Sequence, residues 1–236
     1  MKDIVKAIEK EKEYLEYRKK GQEPYHLADA IKKLGFEDLR EYFDAKKEYN
    51  FKSLQFEVIE TTPLRAITDV INTIKQEKTA VLFAITPFTL IWNGNNSTFN
   101  EEYCNRFGFP ILPLQTGGGT IVSTRGDLNI GICFPRKMEY TTNYILEGLA
   151  NIFRKYTNKK VEVDGNDILV DGYKVLGSSV YADNKMFMFI TPVSLSEKSE
   201  LINNICLKKS SKVAGYVDFM DAEILKSEVC EWLQIK

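Results

Sequence analysis

Lys174 stands in an otherwise apolar stretch, Tyr173-Lys174-Val175-Leu176-Gly177-Ser178-Ser179, directly after the turn-forming pair Asp171-Gly172. A lysine turned from a strand into a cleft can hold a carboxylate or a phosphate through its compact charge. Small residues and hydroxyl donors follow at Gly177, Ser178 and Ser179, and Asn166 and Asp167 precede it. A second stretch, Gln115-Thr116-Gly117-Gly118-Gly119-Thr120-Ile121-Val122, sets three glycines between two apolar runs. Glycine costs backbone entropy inside regular structure, but it reaches φ > 0 and lets backbone N–H groups come close to a ligand. Each stretch alone has an ordinary reading: a solvent-facing strand lysine, and a glycine-rich hairpin turn. The triple glycine is not a P-loop, because no Gly-Lys-Ser/Thr follows, and its spacing is not that of a dinucleotide fingerprint.

Other chemistries find little to work with. Cys104, Cys133, Cys206 and Cys230 are widely spaced, with no Cys-x-x-Cys pair, and His26 is the only histidine. A zinc cluster lacks its ligands, and the cysteines read as reduced core thiols. A Cys–His nucleophile pair would have to use His26, which falls in a helical N-terminal segment away from the rest. Among the 236 residues, Lys and Arg total 32 and Asp and Glu 33, so no basic field points to nucleic acid. No apolar run is long enough to cross a bilayer, and the charged start Met1-Lys2-Asp3 has no signal-peptide core. A cytoplasmic protein with neither a nucleic-acid nor a membrane partner is expected.

These residues need elements to position them. Residues 1–50 read as a charged helical extension. Ile4, Ala7, Ile8 and Leu15 share one face, Leu27, Ile31 and Leu34 a second, and Phe36, Leu39 and Phe43 a third. Gly21 and Pro24 break the first helix, and Gly35 caps the second. Residues 51–236 form the second expected domain. Phe51 to Ile59 reads as a strand, and Thr62-Pro63 starts a helix with Leu64, Ile67, Val70, Ile71 and Ile74 on its apolar face. Ala80–Ile85 and Phe88–Trp92 read as strands, Asn93-Gly94-Asn95-Asn96-Ser97 as a loop, and Phe99–Phe107 as a helix ended by Gly108. The glycine stretch follows, with a turn at Arg125-Gly126-Asp127 and a strand over Leu128–Phe134. Thr141–Tyr156 is a helix. Short strands then run from Val161 to Ile190, including one over Tyr173–Tyr181, and helices over Ser196–Cys206 and Asp221–Trp232 close the chain. The mixture predicts an α+β fold, a mostly antiparallel or mixed sheet with packed helices.

The segment Gly165-Asn166-Asp167-Ile168-Leu169-Val170, a hairpin, then Gly172-Tyr173-Lys174-Val175-Leu176-Gly177-Ser178-Ser179 resembles the lysine segment of lipoate–protein ligases. Upstream, Gly117-Gly118-Gly119-Thr120-Ile121-Val122 followed by Gly126-Asp127-Leu128-Asn129 resembles the same family's glycine stretch, and Asn93-Gly94-Asn95-Asn96 its Asn-rich loop. The order agrees over about residues 60–220. Biotin–protein ligases share the fold but usually lack the triple glycine and the Gly-Ser-Ser end. The resemblance implies a biotin/lipoate ligase-like catalytic domain. Its implied activity uses ATP and Mg²⁺ to turn lipoate, or a related short acyl acid, into an acyl-adenylate. The acyl group then passes to a lysine of a lipoyl-carrier domain protein. Lys174 becomes the catalytic residue. Thr116, Gly117, Gly118, Gly119, Thr120, Asn166, Asp167, Gly177, Ser178 and Ser179 become the substrate and nucleotide contacts. Within these, Asp167 would hold Mg²⁺, Thr116 and Ser178 would donate hydrogen bonds, and residues near Ile121 and Leu128 would form an apolar acyl slot.

The chain also departs from the family pattern. Leu114 stands where an arginine is usual, Ser123 where a histidine is, and Tyr181 where a second arginine is; Phe189-Ile190-Thr191-Pro192 replaces an expected His-Gly pair. An arginine's bidentate grip on carboxylate or phosphate is not reproduced by lysine. Arg125 and Arg136 are the candidates to compensate. The C-terminal accessory domain of longer ligases is expected to be absent. Two alternatives stay open: an octanoyl-type acyl-carrier transferase using Cys133 or Cys206 as nucleophile, and a non-catalytic binding or regulatory module.

Overall fold

The computed structural model describes residues 2–94, 98–114, 119–136, 142–207 and 212–235. The chain divides into two compact units, Met1–Leu54 and Gln55–Lys236. In the first, α1 (Ile4–Lys19), α2 (Leu27–Lys32) and α3 (Leu39–Lys52) enclose a small core of Ala7, Ile8, Ile31, Phe36 and Tyr42. Asp3 and Asp38 cap α1 and α3 by accepting from the backbone N–H groups of Lys6 and Glu41. Glu11 is buried in this core and accepts from the Tyr42 hydroxyl and the Lys46 ammonium. Leu15 and Phe43, expected on the apolar stripes, are exposed instead. Three short helices have room for only a narrow shared core.

The second unit begins with β1 (Glu57–Thr61), α4 (Pro63–Lys75), β2 (Ala80–Ile85), β3 (Leu90–Asn93) and α5 (Glu101–Phe107). It continues with β4 (Ile111–Pro113), β5 (Thr120–Ser123), β6 (Leu128–Pro135), α6 (Thr142–Tyr156), β7 (Val161–Asp164), β8 (Asp167–Val170) and β9 (Tyr173–Gly177). β10 (Ser179–Ala182), β11 (Met186–Val193), α7 (Ser199–Ile205) and α8 (Ala222–Trp232) complete it. Among the described residues the main sheet runs β1-β2-β6-β11-β9-β8-β7, with β10 also paired to β11. The β1–β2 pair is parallel and the others antiparallel. A second, smaller sheet has the order β4-β3-β5. The fold is α+β.

Register sorts the side chains of the main sheet into two sets. Leu82, Gly131 and Ile190 lie side by side across β2, β6 and β11, and so do Ala84, Asn129 and Pro192. Strand alternation puts these on one face, the face covered by α4. The opposite face carries Phe83, Ile130, Phe134, Phe189 and Val193, all buried. Further along the sheet, α6 packs on β7 and β8, and Ile145, Leu149, Ile152 and Phe153 are among its buried residues.

Three expected elements differ from those observed. Phe51 belongs to the end of α3, where it is fully buried, and the strand begins only at Glu57. Leu64 starts the apolar face of α4 in sequence but is exposed, although Pro63 beside it is buried. The single strand expected over Tyr173–Tyr181 breaks at Ser178 into β9 and β10. β9 pairs with β8, whereas Ser179 onward pairs with Ile190 and the rest of β11.

Candidate active site

The hairpin of β8 and β9 turns at Asp171-Gly172, both in the left-handed region at φ 50° and 82°. That is the two-residue turn such a pair favours. A β-bulge then decides where Lys174 points. Ile168 pairs with Leu176 but Leu169 pairs with Lys174, so Val175 is the extra residue. Strict alternation from Leu176 would place Lys174 on the face covered by α6. The one-residue insertion turns it to the other face, that of Gly177 and Asp167. Through the pairing of Leu176 with Val193, this is also the face of Ile190 and Pro192.

There the Lys174 ammonium donates to Asp167 Oδ1 at 2.8 Å. The Lys174 side chain runs directly over Gly177. A Cβ on Gly177 would stand 2.7 Å from Lys174 Nζ and 3.1 Å from Asp167 Oδ1. The second carboxylate oxygen of Asp167 accepts from Lys212 at 2.8 Å. Burial opposes ionisation of Asp167, but the hydrogen bonds from Lys174 and Lys212 outweigh it and hold the carboxyl below the usual carboxylate range. The neighbouring Asn166 is exposed, and its backbone carbonyl accepts from both the N–H and the hydroxyl of Ser178, at 2.8 and 2.9 Å. Thr191 donates its hydroxyl to the Gly177 carbonyl at 3.1 Å, which ties this corner to β11.

On the same face lies an apolar cavity of about 690 Å³, including its open mouth. Its floor is the row Leu82, Ala84, Asn129, Gly131, Ile190 and Pro192; α4 covers it with Ala66, Ile67 and Val70. The second sheet contributes Trp92 and Ile121, with Leu114 beside them. Ser179, two residues beyond Gly177, also lines it, so cavity and lysine cluster are joined through one short run of backbone. Asn129 is held in place by donating to the Ala84 carbonyl and the Thr86 hydroxyl.

The sequence-based site therefore comes together in part. Lys174, Asn166, Asp167, Gly177, Ser178 and Ser179 form one corner. Thr120 lies instead on β5 in the second sheet, opposite Asn93. Gly119 is exposed, has no left-handed backbone and has open space where a Cβ would stand. Thr116, Gly117 and Gly118 lie outside the described residues. The Ser178 hydroxyl donates to the Asn166 carbonyl. Both oxygens of Asp167 accept from ammonium groups. Among the described residues no group of His, Cys, Asp or Glu is placed to hold a metal ion. Near the residues expected for an acyl slot, Ile121 and Asn129 line the cavity, while Leu128 itself is fully buried on the opposite face.

The departures from the family pattern have local explanations. Leu114 adds apolar wall to the cavity. Ser123 is buried and its hydroxyl accepts from the Trp92 indole N–H at 3.2 Å. Tyr181 is exposed on β10. Arg125 sits exposed in the turn before β6, and Arg136 donates to the Asp183 carbonyl at the far end of that strand. Neither belongs to the cavity lining. Asp127 of the Gly-Asp-Leu run is structural. Its carboxylate accepts from the N–H groups of Thr124 and Leu195 and pairs with the buried Lys198, locking the β5–β6 turn to the chain after β11. The nucleophile candidates are poorly suited. Burial pushes the Cys133 thiol up to about 12 and raises that of Cys206, so thiolate is scarce at both. Lys212, Trp92 and the α4 residues were not legible as site residues. Lys212 is the last residue of the run Lys208-Lys209-Ser210-Ser211-Lys212, in sequence an ordinary charged and polar stretch.

The chain belongs to the family of lipoyl protein ligase A/B catalytic domains, whose pattern matches residues 70–220. Among solved structures, LipL1 of P. falciparum in complex with lipoate superposes with a TM-score of 0.65 at 12% identity, covering 77% of this chain and 60% of that one. A lipoate-protein ligase A bound with ATP gives 0.64 at 15% identity, covering 77% and 85%. A bi-partite lipoate protein ligase from Thermoplasma acidophilum, described with its E2 lipoyl domain, gives 0.63 at 16% identity, covering 78% and 86%. At such identities these likenesses speak for the fold. Comparison of the sequence with curated proteins finds no match.

Proposed function

We propose that residues 51–236 form a lipoate–protein ligase-like catalytic domain that converts a short acyl acid and ATP into an acyl-adenylate, then transfers the acyl group to a lysine of a lipoyl-carrier protein. The observation that carries this reading is the bulge at Val175, which turns Lys174 onto the face of the sheet that holds the apolar cavity. The cavity takes the aliphatic part of the acid and leaves its carboxylate toward the Ser179 end. There a carboxylate oxygen attacks the α-phosphorus of ATP and pyrophosphate leaves. Lys174 neutralises the charge shared by the carboxylate and the α-phosphate and holds the two reactants in line. In the second step the carrier amine attacks the acyl carbonyl and AMP leaves with the bonding pair. Asp167 acts in this scheme by holding Lys174, and magnesium enters on the phosphates of ATP rather than on Asp167.

The neighbours in complex with lipoate, bound with ATP, and described with an E2 lipoyl domain support this choice of ligands and partner. The raised thiols of Cys133 and Cys206 weigh against the octanoyl-type transferase, which needs a reactive thiolate. A cytoplasmic setting agrees with cysteines that are all free. Incubation with ATP, Mg²⁺ and a panel of short acids, read by mass spectrometry, tests the proposal. An adenylate of lipoate or a related acid is the expected product, and no adenylate with any acid would leave the non-catalytic reading in its place.

A further inference from the structure

Lys212 reaches the lysine corner from a chain segment far along the sequence, and it is fixed there by backbone as well as by charge. Val213 accepts from the Lys174 N–H and Gly215 donates to the Lys174 carbonyl, both at 2.8 Å, so this segment runs along β9 like an added strand. A Cβ on Gly215 would sit 2.6 Å from that of Tyr173, and only glycine permits so close an approach. From this anchor the Lys212 ammonium donates to Asp167 Oδ2 at 2.8 Å and to the Asp164 backbone carbonyl at 2.8 Å, and it pairs with Asp164 Oδ2 at 2.9 Å. Burial disfavours the Lys212 ammonium, but Asp167 and Asp164 outweigh that and raise its pKa.

The result is a chain of charges in which one carboxylate is shared by two ammonium groups, one on each oxygen. The side chain of Asp167 is only 17% exposed. If Lys174 were its sole partner, moving Lys174 to a substrate anion would leave a largely buried carboxylate unpaired, a costly arrangement. With Lys212 on the other oxygen, Asp167 stays paired while Lys174 moves. We propose that Lys212 is a positioning residue that keeps Asp167 compensated, so that Lys174 is free to engage the anionic groups of the substrates. The inference rests on the ligase reading for its catalytic consequence, but the sharing of Asp167 does not depend on it.

Two measurements test it separately. In the first, lipoate adenylation is followed by pyrophosphate exchange. Lys212→Met should lower kcat about tenfold, on the scale of one charge-assisted hydrogen bond, and leave KM for lipoate unchanged. Lys212→Arg should restore most of the rate. Adding Asp167→Asn to Lys212→Met should raise the rate above that of Lys212→Met alone, because a neutral amide has no charge to strand. A rate within twofold of the wild type in Lys212→Met, or no gain from the added Asp167→Asn, would overturn the proposal. The second measurement needs no catalysis: competitive acylation of Lys174 by a small anhydride, read by mass spectrometry against the exposed Lys19. Lys212→Met should slow labelling of Lys174 about tenfold, since Asp167 then holds it alone. Unchanged labelling would overturn the sharing itself, even in a protein that makes no adenylate. Lys212→Gln, which removes the charge and keeps hydrogen-bond donors, carries the same expectations should Lys212→Met fail to fold.

Discussion

Replacing Gly177 with alanine separates stability from chemistry in a way the geometry makes quantitative. Gly177 has an ordinary backbone, outside the left-handed region, so alanine is conformationally allowed. Its Cβ would lie 2.7 Å from Lys174 Nζ, 2.8 Å from Lys174 Cε and 3.1 Å from Asp167 Oδ1. The two atoms it clashes with belong to the far end of a flexible chain, so the lysine swings aside, Asp167 gives by a few tenths of an ångström and the surrounding backbone stays. The lost ion pair, with Lys174 34% exposed, is worth about 0–1 kcal/mol. Alanine returns about 0.4–1 kcal/mol by restricting the unfolded chain. The net change should lie within about 1 kcal/mol, roughly 2–4 °C in Tm for a chain of this size. Adenylation should fall far more, on the order of 100-fold, because a displacement of about 1 Å at the reacting centre costs that much. Thermal melting beside a pyrophosphate-exchange assay reads both. A Gly177→Ala protein that melts normally and adenylates at the wild-type rate would refute the path drawn for Lys174 or its role. A collapse in Tm would refute the packing.

The remaining expectations concern charge and the cavity wall. Asp167 has its carboxyl held below the usual range, so its contribution to stability is full above the unfolded value near pH 4 and is lost as pH falls through the folded value. The stability difference between wild type and Asp167→Asn should thus be about 1–2 kcal/mol at neutral pH and shrink as pH falls below the unfolded value; a difference independent of pH in denaturant titrations would contradict the pairing. Ser123→Ala strips the buried Trp92 indole of its acceptor. It should cost about 1–3 kcal/mol in denaturant unfolding and weaken acyl-acid binding by calorimetry, whereas an unchanged protein would mean the contact is incidental.

Much of this was legible from the chain. The Lys174 segment and the triple glycine carried the family resemblance, and hydrophobic periodicity located α1, α4, α6 and α8 and most strands. What was hidden depends on pairing between distant segments. Alternation alone would send Lys174 to the wrong face, and only the register between β8 and β9 exposes the extra residue Val175. Likewise, sequence could not tell that Asn129 and not Leu128 faces the cavity, since period-two patterns fix which residues share a face but not which face meets the cavity. The break at Ser178 falls where pairing with β8 ends and only β11 continues alongside, which leaves no mark in an apolar run. Lys212 was invisible for the plainest reason: a lysine at the end of a charged run in sequence looks like any other until the chain folds back along β9.

The central claim is that the Lys174 ammonium does chemistry at the mouth of the cavity. The most direct test is Lys174→Ala, with adenylate formation from lipoate and ATP read by mass spectrometry beside a melting curve. Loss of the adenylate by at least about 100-fold, with Tm within a few degrees of the wild type, is the outcome the geometry requires. An undiminished adenylate peak from a folded Lys174→Ala protein would contradict it.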